Sequence, residues 1–227
     1  MIPSLDVVIP TLNAGSSLAR TLAALGTPDN LSLTITVCDG GSRDDTPSIA
    51  REAGARVVTA PAGRGQQLSA GAEAGKAPWL FFLHADSRPA DGWSDAVRRF
   101  VSDPSNEDRA AYFRLRFDSP DPRARRIERL VRWRSRTLGL PYGDQGLVMT
   151  RTFYRRLGGF AGIPLMEDVD LVRRIGRHRL VPLASDMITS ARRYVRDGWL
   201  LRPLRNLSCL ALYFAGVPPH AIQRLYG

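Results

Sequence analysis

Five consecutive apolar residues, Trp79 to Leu83, end abruptly at His84-Ala85-Asp86-Ser87. So short and unbroken a run predicts a strand buried on both faces, the habit of a central strand in a mostly parallel sheet. In open α/β sheets ligands collect beyond the carboxyl ends of the strands. His84 and Asp86 stand at such an end, and alternation puts them on one side, where both could reach one cation. A plainer reading of the same residues is a polar turn, with Asp86 capping the next helix.

The first half of the chain repeats strand and helix. Leu5 to Pro10 predicts a strand, followed by the loop Thr11-Leu12-Asn13-Ala14-Gly15 and a helix capped by Ser16 and running to Leu25. Leu33 to Cys38 predicts a second strand, leading through Asp39-Gly40-Gly41-Ser42 to a helix from Asp45 to Ala53 with Pro47 in its first turn. Arg56 to Thr59 is a third, short strand. Gly63-Arg64-Gly65 opens the next helix, and a helix from about Asp91 to Val101 follows the Trp79 strand. This order argues for α/β layering with right-handed crossovers. Each strand end carries a polar cluster, as a ligand crevice requires: Thr11 with Asn13, Asp39 with Ser42, and His84 with Asp86.

The second half is less regular. Tyr112 to Phe117 alternates as a half-exposed strand would. Arg123 to Leu138 reads as an arginine-rich helix whose apolar stripe is Ile127, Leu130 and Val131. A strand at Leu147 to Thr150, a helix around Phe153 to Leu157, and a helix begun by Glu167-Asp168 follow. Acids at that last start suit the helix dipole. Trp199 to Phe214 predicts a late helix, apolar over much of its circumference.

With 227 residues the chain is expected to form one domain, 1–227. Within it, 1–118 is expected to bind the donor, and 119–227, with its C-terminal helix, the acceptor. The net charge is +10, and Lys76 is the only lysine among 32 basic residues. That balance favours anionic partners. Nucleic acid has charge alone in its favour, with no motif and few interleaved aromatics, so it is not expected as a partner. Cys38 and Cys209 suggest neither a disulfide framework nor a zinc knuckle. No signal peptide is expected, and Leu207 to Val217 is too short to span a bilayer, which points to the cytosol.

Seven segments in order carry a resemblance: VVIPTLN (7–13), VCDGGSRDDT (37–46), GRGQQLSAG (63–71), LFFLHADS (80–87), GDQG (143–146), GGF (158–160) and LMEDVDL (165–171). Together they resemble the family 2 glycosyltransferases from about Asp6 to Arg193. With SARR (190–193) they are most similar to a subgroup associated with arsenosugar biosynthesis. The resemblance implies a GT-A fold, a Rossmann-like mostly parallel sheet flanked by helices, with an acceptor-side second half. It also implies a nucleotide-sugar donor, a divalent metal (Mn²⁺ or Mg²⁺), inversion at the sugar carbon and a hexosyltransferase type of activity. The chemistry is coherent. A departing nucleoside diphosphate gathers negative charge that a hard cation stabilises, and the attacking hydroxyl must give its proton to a carboxylate.

By the same resemblance, Pro10, Thr11, Asn13, Asp39, Arg64, Ala85 and Asp86 hold the donor. The family's DxD pattern is altered, with His84 in its first position and Asp86 in its last. Asp86 keeps the metal role, while His84 could bind metal, contact phosphate or do neither. Ala14 stands where family members often carry glutamate. Asp168 matches the catalytic base. Asp144, Gln145 and Glu167 fall near the substrates, and Arg192 with Arg193 could clamp the diphosphate. No QxxRW segment is present, which argues for transfer of a single sugar. The alternative is a nucleotide-sugar-binding protein without turnover, its first acid replaced by His84. A further expectation concerns the arginines between Arg123 and Arg136 and the leucines after Trp199. Such helices rest peripherally on anionic membranes, here the inner face, or else their leucines pack on the sheet and their arginines face water.

Overall fold

The computed structural model describes residues 2–226. Eight strands and ten α-helices follow in chain order: β1 (Ser4–Thr11), α1 (Gly15–Leu25), β2 (Ser32–Asp39), α2 (Thr46–Glu52), β3 (Arg56–Thr59), α3 (Arg64–Ala74), β4 (Trp79–Phe82), β5 (Ser87–Pro89) and α4 (Trp93–Val101). Then come β6 (Ala110–Phe117), α5 (Pro122–Trp133), β7 (Leu147–Thr150), α6 (Arg151–Arg156), α7 (Glu167–Ile175), β8 (Leu180–Thr189), α8 (Arg192–Asp197), α9 (Leu201–Phe214) and α10 (Pro219–Tyr226).

All strands join one mixed sheet in the order β3-β2-β1-β4-β7-β6-β8-β5. Strands β1 to β4 are mutually parallel, and β7 runs against both β4 and β6. The sheet is therefore an α/β layer of the GT-A kind. Expected donor and acceptor halves share it, because β7 and β8 come from beyond residue 118 yet flank β6.

The Trp79 run lies near the middle of this sheet, and its four strand residues are all buried. Alternation divides its side chains between two cores. Phe81 and Leu83 join Val7, Ile9, Leu18 and Trp93 on one face, while Leu80 and Phe82 join Val8, Leu68, Phe153 and Val169 on the other. Helix α3 packs close because Gly71 has no side chain; a Cβ there would stand 2.4 Å from Cys38 Sγ and from Val8. Buried Arg151 pairs with buried Asp6, whose carboxylate also accepts from Ala77 N–H at 2.8 Å. This contact fastens the start of α6 to β1.

Four expectations need correction. Helix α1 starts at Gly15 without a side-chain cap, so Ser16 is not its cap. Its first amides are instead taken by the next loop, with Ala14 N–H donating to Thr46 Oγ1 and Gly15 N–H to Asp44 Oδ2. Asp86 does not cap α4, because strand β5 intervenes. The arginine-rich helix ends at Trp133 and passes into a π-helical turn, and Leu130 is exposed while Ile127 and Val131 are buried. The leucines after Trp199 do not pack on the sheet: Leu200, Leu201, Leu204 and Leu207 are exposed. No helix of the described residues is long and apolar enough to cross a membrane. Cys38 and Cys209 are both free and buried, and burial pushes the Cys38 thiol up to about 12.

Candidate active site

The carboxyl ends of β1, β2 and β4 open into a cleft of about 600 Å³. Pro10, Thr11 and Asn13 reach it from the loop after β1, Arg64 from the start of α3, and Ala85 with Asp86 from the turn after β4. Arg192 and Arg193 reach it from α8. Eight of the residues expected to hold the donor are thus brought together.

The loop after β1 is shaped by its neighbour. Asn13 has a left-handed backbone (φ 52°); its side chain accepts from Arg43 N–H and its own N–H donates to Ser42 Oγ. Asp39 does not line the cleft. Its carboxylate is engaged behind it, accepting from Gly41 N–H, Ser42 N–H, Ser42 Oγ and Thr11 Oγ1. Burial opposes ionisation, but these donors, Ser42 foremost, outweigh it and hold the carboxyl below its ordinary value. Gln67 completes the arrangement, donating from Nε2 to the carbonyls of Thr11 and Cys38.

The turn at Asp86 is pinned from both sides. Thr21 Oγ1 donates to Ala85 O at 2.9 Å, and Ser190 N–H donates to Asp86 O at 3.3 Å. Ser87 and Thr189 join their hydroxyls at 3.0 Å, so the end of β8 fixes the turn after β4.

A second cavity of about 110 Å³ adjoins the cleft and shares Arg64, His84, Asp86, Ser190 and Arg193 with it. Asp144 and Asp168 enter from its other walls, as do Tyr142, Tyr194, Arg202 and Asn206. Asp168 lies in the first turn of α7, just after Met166, a non-glycine residue at φ 67°. Gly143 N–H donates to Asp168 Oδ2 at 2.7 Å. A Cβ on Gly143 would stand 2.5 Å from His84 Nε2 and 3.4 Å from Asp168 Oδ2, so this glycine alone lets the two side chains approach.

Electrostatics differ sharply among the acids. Glu167 is fully buried, and burial pushes its carboxyl up to about 7, partly opposed by Arg64. Arg64 Nε lies 3.0 Å from its Oε1, within ion-pair range, yet neither Glu167 oxygen has a well-aligned hydrogen bond. Burial also lifts Asp144 to about 6, with Arg134 opposing and Asp168 and Asp86 adding to the rise. His84 is pushed down to about 4 by burial and next by Arg64, against the pull of Asp86 and Asp168, so its imidazole is neutral near pH 7. Gln145 turns away from both cavities. It donates to Phe113 O and accepts from Ser135 Oγ, bracing the loop that carries Gly143. Asp170 is an outward helix residue, paired with Arg174.

No group of three or more His, Cys, Asp or Glu among the described residues could by itself hold a metal ion. The donors nonetheless suit a hard cation. Asp86 faces the cleft, and buried Asp144 Oδ1 has no hydrogen-bond partner. Ions such as Mg²⁺ are commonly held by one or two carboxylates together with substrate phosphates.

The sequence reading did not reach Gly143 as a close-approach glycine, nor Tyr142, Tyr194, Arg202 and Asn206. GDQG was the available signal for the first; the others come from loops and helices whose facing is set by tertiary packing.

The family 2 glycosyl transferase model matches residues 6–158, and the chain belongs to that family. Solved structures share the fold. Glucosyl-3-phosphoglycerate synthase from Mycobacterium tuberculosis, in complex with Mn²⁺, UDP and glucosyl-3-phosphoglycerate, aligns over 83% of this chain and 70% of its own, at 18% identity and a TM-score of 0.55. TarS residues 1–349 from S. aureus align over 98% of this chain and 69% of that one, at 12% identity and a TM-score of 0.64. No curated protein matches the sequence.

Proposed function

We propose that this protein is an inverting transferase that moves a single hexosyl group from a nucleotide-sugar donor to an acceptor hydroxyl. One observation carries the reading: a donor-sized cleft and a smaller acidic cavity meet at Asp86, His84 and Arg64, with Asp168 across the junction. The acceptor oxygen attacks the anomeric carbon from the smaller cavity and gives its proton to Asp168 Oδ1 or Oδ2. The bond from that carbon to the diphosphate breaks, and its electron pair leaves with the diphosphate. Gly143 N–H orients the Asp168 carboxylate. Arg64, Arg192 and Arg193 place positive charge around the leaving group. Asp86, with Asp144 nearby, would hold Mn²⁺ or Mg²⁺, which when bound neutralises charge on the diphosphate.

Thr11 and Asn13 contact the nucleotide, and Asp39 shapes their loop from behind. Glu167 sets the position of Arg64 rather than meeting substrate. Residues 1–118 serve mainly the donor and 119–227 the acceptor. We place the reaction in the cytosol with peripheral contact at the inner membrane face, and retain the arsenosugar-associated subgroup as the nearest sequence resemblance. The mycobacterial complex makes UDP with Mn²⁺ the first pair to test. A thermal-shift screen of UDP-, GDP-, dTDP- and CDP-sugars with and without Mn²⁺ or Mg²⁺ tests the donor reading, since a bound ligand raises the midpoint by mass action. No shift with any pair would overturn it. Binding without donor hydrolysis or transfer would favour the nucleotide-sugar-binding alternative.

A further inference from the structure

Helix α9 is built inside out. Its inner side carries Arg202, only 4% exposed, together with Arg205 and Asn206. Asp197 accepts from Arg202 at 3.1 Å and from Arg205 at 2.6 Å, and Arg202 with Asn206 lines the acidic cavity. Its outer side carries Leu200, Leu204, Leu207, Ala211 and Phe214. These positions recur every three or four residues, so they form one stripe along the helix, about 20 Å long. Leu200 is 84% exposed, Leu204 60%, Leu207 61% and Phe214 48%. A helix at the surface of a globular domain normally presents the reverse arrangement. A continuous apolar stripe in solvent marks an interaction face.

Charge identifies what covers it. At the start of the stripe the Arg123 guanidinium packs 5.9 Å from the Trp199 ring, and exposed Arg196 lies one turn earlier. At its end Arg173 packs 4.8 Å from the Phe214 ring. Helix α5, whose Ala124, Ile127 and Val131 share a small core with Trp199, exposes Leu130 and Trp133 among Arg126, Arg129 and Arg132. Guanidinium groups thus bracket the apolar surface. A second copy of a chain with net charge +10 would bring like-charged rims together. An anionic leaflet neutralises them while accepting the leucines between its headgroups.

We propose that α9 docks on an anionic bilayer surface through the Leu200–Leu204–Leu207–Phe214 stripe. This rests on the transferase reading only for its purpose: α9 supplies a wall of the acidic cavity, so docking brings the acceptor side of the site to the bilayer.

Flotation of the full chain tests this, using vesicles of phosphatidylcholine alone or mixed with phosphatidylglycerol, at low and high salt. The wild type is expected to float with the anionic vesicles at low salt and to be released by salt or by omission of the anionic lipid. The double variant Leu204→Gln/Leu207→Gln should lose at least about tenfold in vesicle affinity, since each leucine contributes apolar burial worth about that factor. Its melting temperature and its shift with UDP and Mn²⁺ should match the wild type, because neither leucine touches the cleft. Equal flotation of variant and wild type would overturn the proposal, leaving the arginines as the whole attraction. So would a wild type that stays unbound. If that unbound protein sediments as a dimer which the double variant splits, a second copy covers the stripe instead. Flotation without any donor-induced shift would leave the docking face standing and remove the transferase reading.

Discussion

The backbone amide of Gly143 holds Asp168 Oδ2 at 2.7 Å while its bare Cα lies against His84. One glycine therefore sets the distance between the turn after β4 and the first turn of α7. Gly143→Ala should drive a methyl group into His84 Nε2. The expected result is a loss of about tenfold or more in kcat, with destabilisation of about 1–3 kcal/mol, the usual cost of overpacking. Steady-state kinetics and a melting curve check both. Unchanged kcat would mean that this spacing has no part in turnover.

Asp168→Asn should abolish transfer and spare donor binding. An amide cannot take the acceptor proton, so kcat should fall at least ~10²-fold. Titration calorimetry with the donor nucleotide should match the wild type. A variant with near-normal turnover would move the base elsewhere.

Asp86→Ala should remove the metal dependence of donor binding, read by calorimetry with and without Mn²⁺. Its companion, His84→Asp, recreates a two-acid turn. It should retain activity and bind Mg²⁺ or Mn²⁺ more tightly, since carboxylate oxygen suits these ions better than imidazole. Complete inactivity in a folded His84→Asp protein would assign the imidazole a function of its own.

Glu167 predicts a pH dependence of stability. Its carboxyl rises from 4.5 in the unfolded chain to about 7 in the fold. Between those values the folded state holds a proton that the unfolded state has released, so this group's contribution is full below 4.5 and is lost as pH rises to about 7. At ~1.4 kcal/mol per pH unit the loss is at most a few kcal/mol. Denaturant titrations at acidic and mildly alkaline pH should show it, and Glu167→Gln should flatten the difference. An identical pH slope in the variant would exclude Glu167 as the source.

Arg151→Met should destabilise the protein by about 3–5 kcal/mol, because it leaves Asp6 buried without its partner. The double change Asp6→Asn/Arg151→Met should recover part of that loss. A single variant as stable as the wild type would show that the pair contributes nothing net.

Much of the frame was legible in the sequence because burial on both faces leaves an unbroken apolar run, as at Trp79 to Phe82. Strands Arg56–Thr59 and Leu147–Thr150 fall where patterning placed them. Strand β8 did not announce itself, although Leu183, Ser185, Met187 and Thr189 are buried in strict alternation. Pro182, Ser185 and Asp186 disguise it, and the bulge opposite Tyr112 and Arg114 interrupts its pairing. Within the site, the residues that converge were found through ordered motifs. Their division of labour was not, because Asp39 is taken up by its own loop and Gln145 by the strand beside it, and such partners lie 28 and 32 residues away in sequence. Helix α9 shows the sharpest limit: composition points its leucines inward, and only the Asp197 cluster explains why its arginines turn there instead.

The placement of β7 bears on how the molecule can move. A strand from the later part of the chain is stitched by backbone hydrogen bonds to β4 on one side and β6 on the other. Swinging donor and acceptor halves apart like a clamshell would tear that seam in the middle of the sheet. Substrate entry and product escape must therefore be managed by local displacement at the rim, where α8 and the loop after β1 meet, over a floor that stays fixed through the catalytic cycle.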